Sequence, residues 1–307
     1  MARPYAIPYF DAHCDTATRG RPLRSCRENH LDLERLGLYA PAAQIMAIFA
    51  PPGEDTPETF GRLLESARRE LEENADLCTF CASVPELDAA AAAGRTAILL
   101  SVEGASLLDC SEAGLLDACR RGIRLVTLVW NKDNRLCGSC NDSGSGLTED
   151  GRRFAEACWE LGAAVDLSHA SEKTFWDVIG IAKRPVICSH SNAKSLCGHP
   201  RNLTDEQIRA VIHNDGCVGI NLCPVFLGRG RDMDAILAHM DHFLCLGARE
   251  NLCLGTDFDG IDSLPAGIAG VESMEDLYEE MLRRRYSEGL VRDIFYHNLR
   301  RYMERAL

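Results

Sequence analysis

Residues that can bind a metal end the first apolar run of the chain, in the stretch YFDAHCDT. Side chains on a β-strand alternate between its two faces, so His13 and Asp15 point the same way and Cys14 points the other way. A neutral imidazole and a carboxylate that converge at a strand end can hold a divalent metal. The same two side chains also form plain hydrogen bonds in turns, so this motif alone does not decide between the two roles.

Four more predicted strands end in residues of the same chemical types. Glu103 follows TAILLSV, His169 lies in VDLSHAS, and His190 lies in VICSHSN. The last run, LCLGTDFDG, ends in Asp257 and Asp259. Each of these residues alone could cap a helix or stabilise a turn. Burying all of them together without a cation would cost several kcal/mol for each charge, so the set predicts a metal site, and the number of ligands fits two metals.

The elements between these motifs must bring them to one end of one sheet. Short apolar runs alternate with longer helical stretches about eight times along the chain, and the runs are apolar throughout. Strands of that kind form a parallel sheet that is covered on both faces. We predict strands at Ala6–Ala12, Ala43–Ala50, Thr96–Val102, Arg124–Trp130, Ala163–Leu167, Pro185–Ser189, Cys217–Leu222 and Asn251–Gly255.

Helical patterns fill the intervals between these strands. Thr56 before Pro57, and Thr204 with Gln207 three residues later, are typical of helix N-termini. We predict helices at Pro57–Asn74, Ser111–Arg121, Thr148–Leu161, Ser171–Ile179, Thr204–Asn214, Asp232–Leu246, Ser273–Arg284 and Ser287–Ala306.

This alternation predicts an α/β fold, a (β/α)8 TIM-like barrel that spans residues 1–307 as a single domain with C-terminal helices. In such barrels the chemistry lies at the C-terminal ends of the strands, where the acidic and histidine residues fall. A doubly wound open sheet is the second choice, because no GxGxxG turn follows the first strand.

The charge balance and the N-terminus disfavour two classes of partner. Lys and Arg number 33 against 46 Asp and Glu, which gives a net charge of −13. That charge disfavours binding to nucleic acid or to a membrane surface. The start, MARPYAIPYFDAHCD, has no apolar signal segment, and no run is long enough to span a bilayer.

The cysteine content predicts a reducing compartment. The chain has 15 Cys, an odd number, and without a signal segment this favours free thiols and a cytoplasmic location. Two CxxC pairs, Cys78 with Cys81 and Cys137 with Cys140, leave a structural zinc site or a redox role open. Cys78 is predicted to lie near the end of a helix.

Six motifs together resemble one known family. They are, in order, FDAHCDT, SVEGAS, GLTEDGRR, AVDLSHAS, PVICSHSNAKSLCGHPRNLTDE and LGTDFDG. The set, which spans nearly the whole chain, resembles the renal (membrane) dipeptidase family of zinc peptidases in the amidohydrolase superfamily, and its bacterial-type members in particular. The resemblance implies a binuclear zinc site with two Zn²⁺ per chain in a metallo-dipeptidase, and a homodimer that acts on small dipeptides.

The resemblance also implies a role for each metal-binding residue. His13 and Asp15 would bind one zinc, and His169 and His190 would bind the other. Glu103 would bridge the two metals.

The implied reaction uses a metal-bound hydroxide that attacks the peptide carbonyl. Asp257 would carry the proton from the attacking water to the leaving amine. Arg201 would hold the terminal carboxylate of the substrate with its bidentate fork. The substrates would be L–L and L–D dipeptides.

One position departs from the family pattern. Trp130, in LVTLVWNKDN, stands where members with the mammalian pattern have a histidine that contacts the substrate oxygen. Asn131 or Asn134 would then supply the donor. Two alternatives stay open: a related amidohydrolase that cleaves N-acyl-amino acids or another small amide, and a metal-binding barrel without activity. The complete ligand set together with Asp257 favours the dipeptidase.

Overall fold

The computed structural model describes residues 6–307, which contain nine parallel strands in one sheet. The first five residues, on which the expectation about a signal segment partly rests, lie outside this range. In chain order the strands are β1 (Tyr9–Cys14), β2 (Ala42–Ile48), β3 (Cys78–Phe80), β4 (Thr96–Glu103), β5 (Ile123–Thr127), β6 (Ala164–Asp166), β7 (Ile187–Cys188), β8 (Cys217–Ile220) and β9 (Leu252–Leu254).

Eight of these strands close into a barrel. β2 pairs with β4, the chain continues around the sheet to β9, and β9 pairs with β1 through Asp11 and Leu254. The seam between β1 and β9 therefore joins the first and the last strand of the chain. The prediction of a (β/α)8 TIM-like barrel is confirmed.

The strand β3 corrects the prediction for Cys78. The preceding helix ends at Glu73, and Cys78 begins a strand that pairs with the start of β4, from Thr96 to Ile98. β5 pairs with the end of β4, at Leu100–Glu103, so β3 and β5 share one edge of this long strand. The extra strand lies outside the closed barrel and does not interrupt it.

Helices connect the strands and surround the barrel. Seven of the predicted helices differ from the observed ones by at most one residue at either end. The predicted caps are confirmed, since the Thr56 hydroxyl accepts from the N–H of Thr59 and the Thr204 hydroxyl accepts from that of Gln207. The helices are α1 (Leu33–Leu36), α2 (Pro57–Glu73), α3 (Val84–Ala92), α4 (Glu112–Arg120), α5 (Glu149–Glu160), α6 (Glu172–Ile179), α7 (Asp205–His213), α8 (Pro224–Leu227), α9 (Met233–Cys245), α10 (Met274–Arg283), α11 (Glu288–Arg292) and α12 (Asn298–Ala306).

The eighth predicted helix, Ser287–Ala306, is not one regular α-helix. A π-helical turn, Asp293–His297, separates α11 from α12. At its end, the Asn298 amide donates to the carbonyl oxygens of Arg249 and Leu252 at 2.9 and 2.7 Å. These contacts to a distant part of the chain hold the helix against β9. No local sequence pattern predicts them.

Apolar side chains fill the half of the barrel near the N-terminal ends of its strands. Phe10, Ile45 and Leu99 belong to this cluster, and Tyr302 and Met303 of α12 pack against it. α12 therefore covers this end of the barrel. The opposite end remains open, and the polar residues that end the strands lie there. Among the helices within residues 6–307, none combines the length and apolar character needed to cross a bilayer.

Candidate metal centre

Six predicted side chains converge at the open end of the barrel, although they are far apart in the sequence. They lie at or just after the ends of five strands, β1, β4, β6, β7 and β9. Each residue is at most 8% exposed, so the barrel rim shields all of them from bulk water. The six are His13, Asp15, Glu103, His169, His190 and Asp257.

Glu103 occupies the middle of this group. Its Oε1 lies 3.0 Å from Nε2 of His169 and 3.5 Å from Nε2 of His190. Its Oε2 lies 3.7 Å from Nε2 of His13. The two oxygens thus face different histidines, which is the arrangement of a carboxylate that can serve two cations at once.

A second group forms around His13. Its Nε2 lies 3.7 Å from Asp15 Oδ1 and 3.9 Å from Asp257 Oδ1. Both ring nitrogens of His13 and Oδ1 of Asp15 are buried and lack a hydrogen-bond partner. A buried polar atom without a partner costs about 1–3 kcal/mol. One nitrogen of the neutral His13 ring carries its proton, so the other nitrogen and Asp15 Oδ1 present free lone pairs to a cation that the protein itself does not supply.

The Nδ1 atom of His169 is held by an asparagine. It lies 3.0 Å from Asn131 Oδ1, and the same oxygen accepts a hydrogen bond from Asn141 Nδ2 at 2.8 Å. An amide nitrogen can only donate, so Asn131 presents its oxygen and His169 carries its proton on Nδ1. The lone pair of His169 Nε2 then points toward Glu103.

The residues fit a divalent metal. The Nε2 atoms of His169 and His190 lie 3.0 Å apart. Two imidazole nitrogens bound to one Zn²⁺ at about 2.0–2.1 Å with a tetrahedral angle are roughly 3.3 Å apart. Within residues 6–307, the donor atoms of His13, Glu103 and His190 lie within 4.8 Å of one another, and so do those of His13, Asp15 and Asp257.

The electrostatics of the site also indicate that a cation belongs there. Burial, followed by repulsion from Asp15 and Asp257, raises the pKa of Glu103 well above its ordinary range. Burial raises the pKa of Asp257 to about 7, opposed by a hydrogen bond from Asn221, and lowers the pKa of His13 to about 4. The imidazole is thus a neutral ligand, and the carboxylates gain from a positive charge placed among them.

The loop after β9 gives its two aspartates different surroundings. Asn221 Nδ2 donates to Asp257 Oδ2 at 3.0 Å, which leaves the other oxygen facing the site. Asp259 instead accepts from the Thr16 hydroxyl at 2.6 Å and from the His30 N–H at 2.9 Å. Asp259 therefore holds the loop against the rest of the rim, whereas Asp257 faces the candidate ligands.

We expect Gly260→Ala to weaken divalent-metal binding at least about 10-fold, because outer contacts of this kind control ligand placement. A Cβ atom on Gly260 would lie 2.3 Å from Asp257 Oδ1 and 2.4 Å from Asp15 Oδ2, so both carboxylates would have to move. Chelator-competition titration measures the change. Gly61→Ala is the control, since nothing lies within 4 Å of its Cβ position. Equal metal affinity in the two variants would contradict this expectation.

A cavity of about 360 Å³ opens onto the carboxylates. Arg201 lines it and is only 4% exposed. Its Nη2 donates to the carbonyl oxygen of His190 at 3.2 Å, its Nε has no hydrogen-bond partner, and its guanidinium lies 5.6 Å from the ring centre of Phe226. Within residues 6–307 it forms no ion pair shorter than 4.0 Å. The cavity thus contains a buried, unpaired cation.

Trp130 and Asn131 line the same cavity. The Trp130 ring centre lies 4.6 Å from that of Phe49 and 6.1 Å from that of His169, so it forms an apolar wall beside the site. β5 ends at Thr127, so both residues belong to the loop that follows the strand. The predicted strand extended to Trp130, so its last three residues are wrong.

The structure does not bring Asn134 to the cavity. Its Nδ2 donates to the carbonyl oxygen of Leu128 at 2.8 Å, and its Oδ1 accepts from the N–H groups of Leu136 and Cys137. These bonds use the amide to hold the turn after β5. Asn134 therefore stabilises the loop, and the expectation that it contacts substrate has no geometric support.

The thiols of the CxxC pairs take no part in this site, although the backbone N–H of Cys140 donates to the carbonyl oxygen of His169 at 2.9 Å. All 15 cysteines are free thiols. Burial raises the pKa of Cys78 to about 11 and that of Cys81 to about 12, and it raises the pKa of Cys137 and Cys140 as well. Thiols that stay protonated are poor metal ligands and poor nucleophiles. No cysteine belongs to a candidate metal group in the described part of the chain.

The sequence analysis did not identify three polar residues that hold the strand ends of the site in place through hydrogen bonds. Asp11, Asp166 and Asn221 are fully buried in or next to β1, β6 and β8. The Asp11 carboxylate, for example, accepts from both the N–H and the hydroxyl of Thr256 across the seam. The available signal was a polar residue inside an otherwise apolar strand, since such residues are buried only with hydrogen-bond partners.

Comparisons with known proteins agree with this geometry. The family model described as membrane dipeptidase (peptidase family M19) matches residues 5–306. An uncharacterized protein of Acinetobacter calcoaceticus is 31% identical over 286 residues, which covers 79% of this chain and 90% of that protein.

Two solved structures share the fold over nearly their full length. The crystal structure of the dipeptidase AC, a metallopeptidase of family M19, superposes with a TM-score of 0.89 at 28% identity and covers 98% of this chain and 99% of that one. A metallopeptidase from Rhodobacter sphaeroides, liganded with a phosphinate mimic of the dipeptide L-Ala-D-Ala, has a TM-score of 0.88 at 27% identity over 99% and 100% of the two chains. With a family match that spans the barrel, the chain belongs to the membrane dipeptidase family and is a metallo-dipeptidase.

Proposed function

We propose that this chain is a zinc-dependent dipeptidase that holds two Zn²⁺ and hydrolyses the peptide bond of L–L and L–D dipeptides. The observation that carries the proposal is the position of Glu103, whose Oε1 faces His169 and His190 while its Oε2 faces His13. A related metallopeptidase liganded with a mimic of L-Ala-D-Ala supports the substrate class.

The ligands divide between the two metals. His13 and Asp15 would bind one Zn²⁺, His169 and His190 the other, and Glu103 both. Imidazole nitrogens and carboxylate oxygens are ligands that suit zinc. When bound, the metal pair polarises the peptide carbonyl and activates a water for attack.

Asp257 is proposed to move the proton. Asn221 holds its Oδ2 at 3.0 Å, and its Oδ1 faces the cavity 3.9 Å from His13 Nε2. A carboxylate oxygen that stays free of the metals can both accept and return a proton. Asp257 would accept the proton that the attacking water loses and deliver it to the nitrogen of the leaving amine.

Arg201 is proposed to select short substrates. Its guanidinium is buried in the cavity wall without a carboxylate partner, so the C-terminal carboxylate of a dipeptide would supply one. Because the arginine lies at a fixed distance from the candidate metal ligands, a substrate whose carboxylate binds it would have one residue after the cleaved bond.

The other end of the substrate would meet Trp130 and Asn131. The Trp130 ring offers an apolar wall to the first residue of the dipeptide. The Asn131 oxygen accepts a hydrogen bond from His169, so the Nδ2 group is the part of the amide that remains for the substrate, as a donor to one of its oxygens.

Arg201→Ala should raise KM about 10- to 100-fold and change kcat little, since a hydrogen bond to a charged group contributes about 1.5–3 kcal/mol. Steady-state kinetics on a free dipeptide and on its C-terminal amide separate the effect. The amide lacks the carboxylate, so wild type and variant should process it with similar kcat/KM. An equal loss on both substrates would show that Arg201 does not bind the carboxylate.

Elemental analysis of the purified chain, with an assay of amino-acid release from a panel of dipeptides, tests the whole proposal. About two zincs per chain with hydrolysis of dipeptides supports it. Cleavage of N-acyl-amino acids alone favours the related amidohydrolase. Bound metal with no turnover favours an inactive barrel, and absence of metal after zinc is supplied overturns the proposal.

We propose further that residues 1–307 act as one domain, in a homodimer, in the cytoplasm. The free state of all 15 cysteines supports a reducing compartment. Sedimentation analysis of the purified protein would measure the assembly.

A further inference from the structure

A buried carboxylate lies behind the candidate metal centre without a cation beside it. Asp166 ends β6, is fully buried, and forms no ion pair within the described residues. Its Oδ1 accepts from the N–H groups of Ser168 and Ser189, both at 2.9 Å. Its Oδ2 accepts from the hydroxyls of Thr127 at 2.7 Å and of Ser189 at 2.6 Å. Four donors thus fill the acceptor positions of this carboxylate.

The Ser189 hydroxyl links this carboxylate to a candidate ligand. Its oxygen also lies 2.7 Å from Nδ1 of His190. A hydroxyl has one proton, and Ser189 donates it to Asp166, so toward His190 it can only accept. His190 therefore carries its proton on Nδ1, and the lone pair of Nε2 faces Glu103 Oε1 at 3.5 Å.

We propose that Asp166 and Ser189 form a relay that sets the tautomer of His190 and so prepares it to bind a metal. The inference rests on the proposed function, in which His190 is a zinc ligand. Both residues are positioning residues, because they act through His190 and contact neither substrate nor metal.

The relay makes the two histidines of one proposed zinc unequal. The neutral amide oxygen of Asn131 holds Nδ1 of His169, whereas a carboxylate charge stands behind Nδ1 of His190. A charged partner raises the basicity of the ligand nitrogen more than a neutral one does. The reverse proton order would need a protonated Asp166, and it would put a hydrogen on His190 Nε2, where a metal cannot bind.

Three variants test the relay. Ser189→Ala removes the link, and Asp166→Asn reverses it, because the new amide would donate to Ser189 and Ser189 would donate to His190. Ser191→Ala is the matched control. Ser191 follows His190 in the sequence as Ser189 precedes it, and its exposed fraction is 1%, against 0% for Ser189. Unlike that of Ser189, the Ser191 hydroxyl has no hydrogen-bond partner.

We expect Ser189→Ala to weaken zinc binding about 10- to 100-fold and Asp166→Asn to weaken it more, as measured by chelator competition. Ser191→Ala should stay within about 2-fold of wild type, a ratio far below the effect of removing an outer partner. Long-range ¹H–¹⁵N NMR of the metal-free chain should show the His190 proton on Nδ1, and on Nε2 in Asp166→Asn.

Two results would overturn the relay: a His190 proton on Nε2 in the wild-type chain, or zinc affinities that are the same in Ser189→Ala and Ser191→Ala. If the wild-type chain binds no zinc, the proposed function fails, and the NMR measurement on the metal-free chain still decides the tautomer. If a variant of one of these buried residues does not fold, the NMR spectrum of the wild-type chain by itself decides which nitrogen of His190 carries the proton.

Discussion

Asp257→Asn should lose about 10²–10⁴-fold in kcat while it keeps its metal, which is the range that a general acid–base group contributes. The asparagine has the same shape and can still accept from Asn221 Nδ2, the bond that now measures 3.0 Å. It cannot accept a proton from the attacking water or return one to the leaving amine. Steady-state kinetics and elemental analysis of the same preparation measure both properties.

The control for this variant is Asp262→Asn, which makes the same chemical change on an exposed residue of the same cavity. It should keep both activity and metal. The informative contrary result is a fall in metal content for Asp257→Asn. Asp257 forms one candidate metal group with His13 and Asp15, so that fall would make it a ligand and leave the proton transfer to another residue.

Glu103→Gln should release metal and reduce kcat/KM at least about 1000-fold, or roughly 4 kcal/mol. The glutamine fills the same space but brings no charge, and its amide nitrogen cannot ligate. Glu103 is the only side chain whose two oxygens face both proposed metals, among the residues that the structure describes. Zinc per chain, measured by elemental analysis, should fall well below two.

Glu272→Gln serves as the control for the loss of a carboxylate charge. Glu272 pairs with Arg35 at 2.7 Å and does not line the cavity. Its replacement should change neither metal content nor turnover. Two zincs per chain and full activity in Glu103→Gln would refute the bridging role and, with it, the observation on which the proposed function rests.

The sequence predicts which side chains meet at the strand ends, because strand alternation and barrel topology both act there. His13 and Asp15 were expected on one face of β1, and their nearest side-chain atoms lie 3.7 Å apart. Glu103, His169 and His190 were expected at strand ends on one rim of the barrel, and their side chains meet. Chemical type together with position after an apolar run was enough to find all of them.

Residues whose roles depend on exact hydrogen-bond partners could not be found in this way. Asn134 and Asn131 differ by three positions in one loop, yet Asn134 holds the turn while Asn131 holds His169. Asp166 ends β6 and Ser189 directly follows β7, and only the register of these two strands brings their side chains within 2.6 Å of each other. Composition and periodicity carry no information about such pairings.

The seam between β1 and β9 couples the site to the order of folding. It joins Asp11 to Thr256, which are 245 residues apart, and it places His13 and Asp15 beside Asp257. Contacts of such separation contribute only after a long loop of the chain has closed. A chain whose barrel has not closed therefore holds only separated fragments of the cation site. Closure of the barrel at this seam is therefore the condition on which the complete set of candidate ligands comes together.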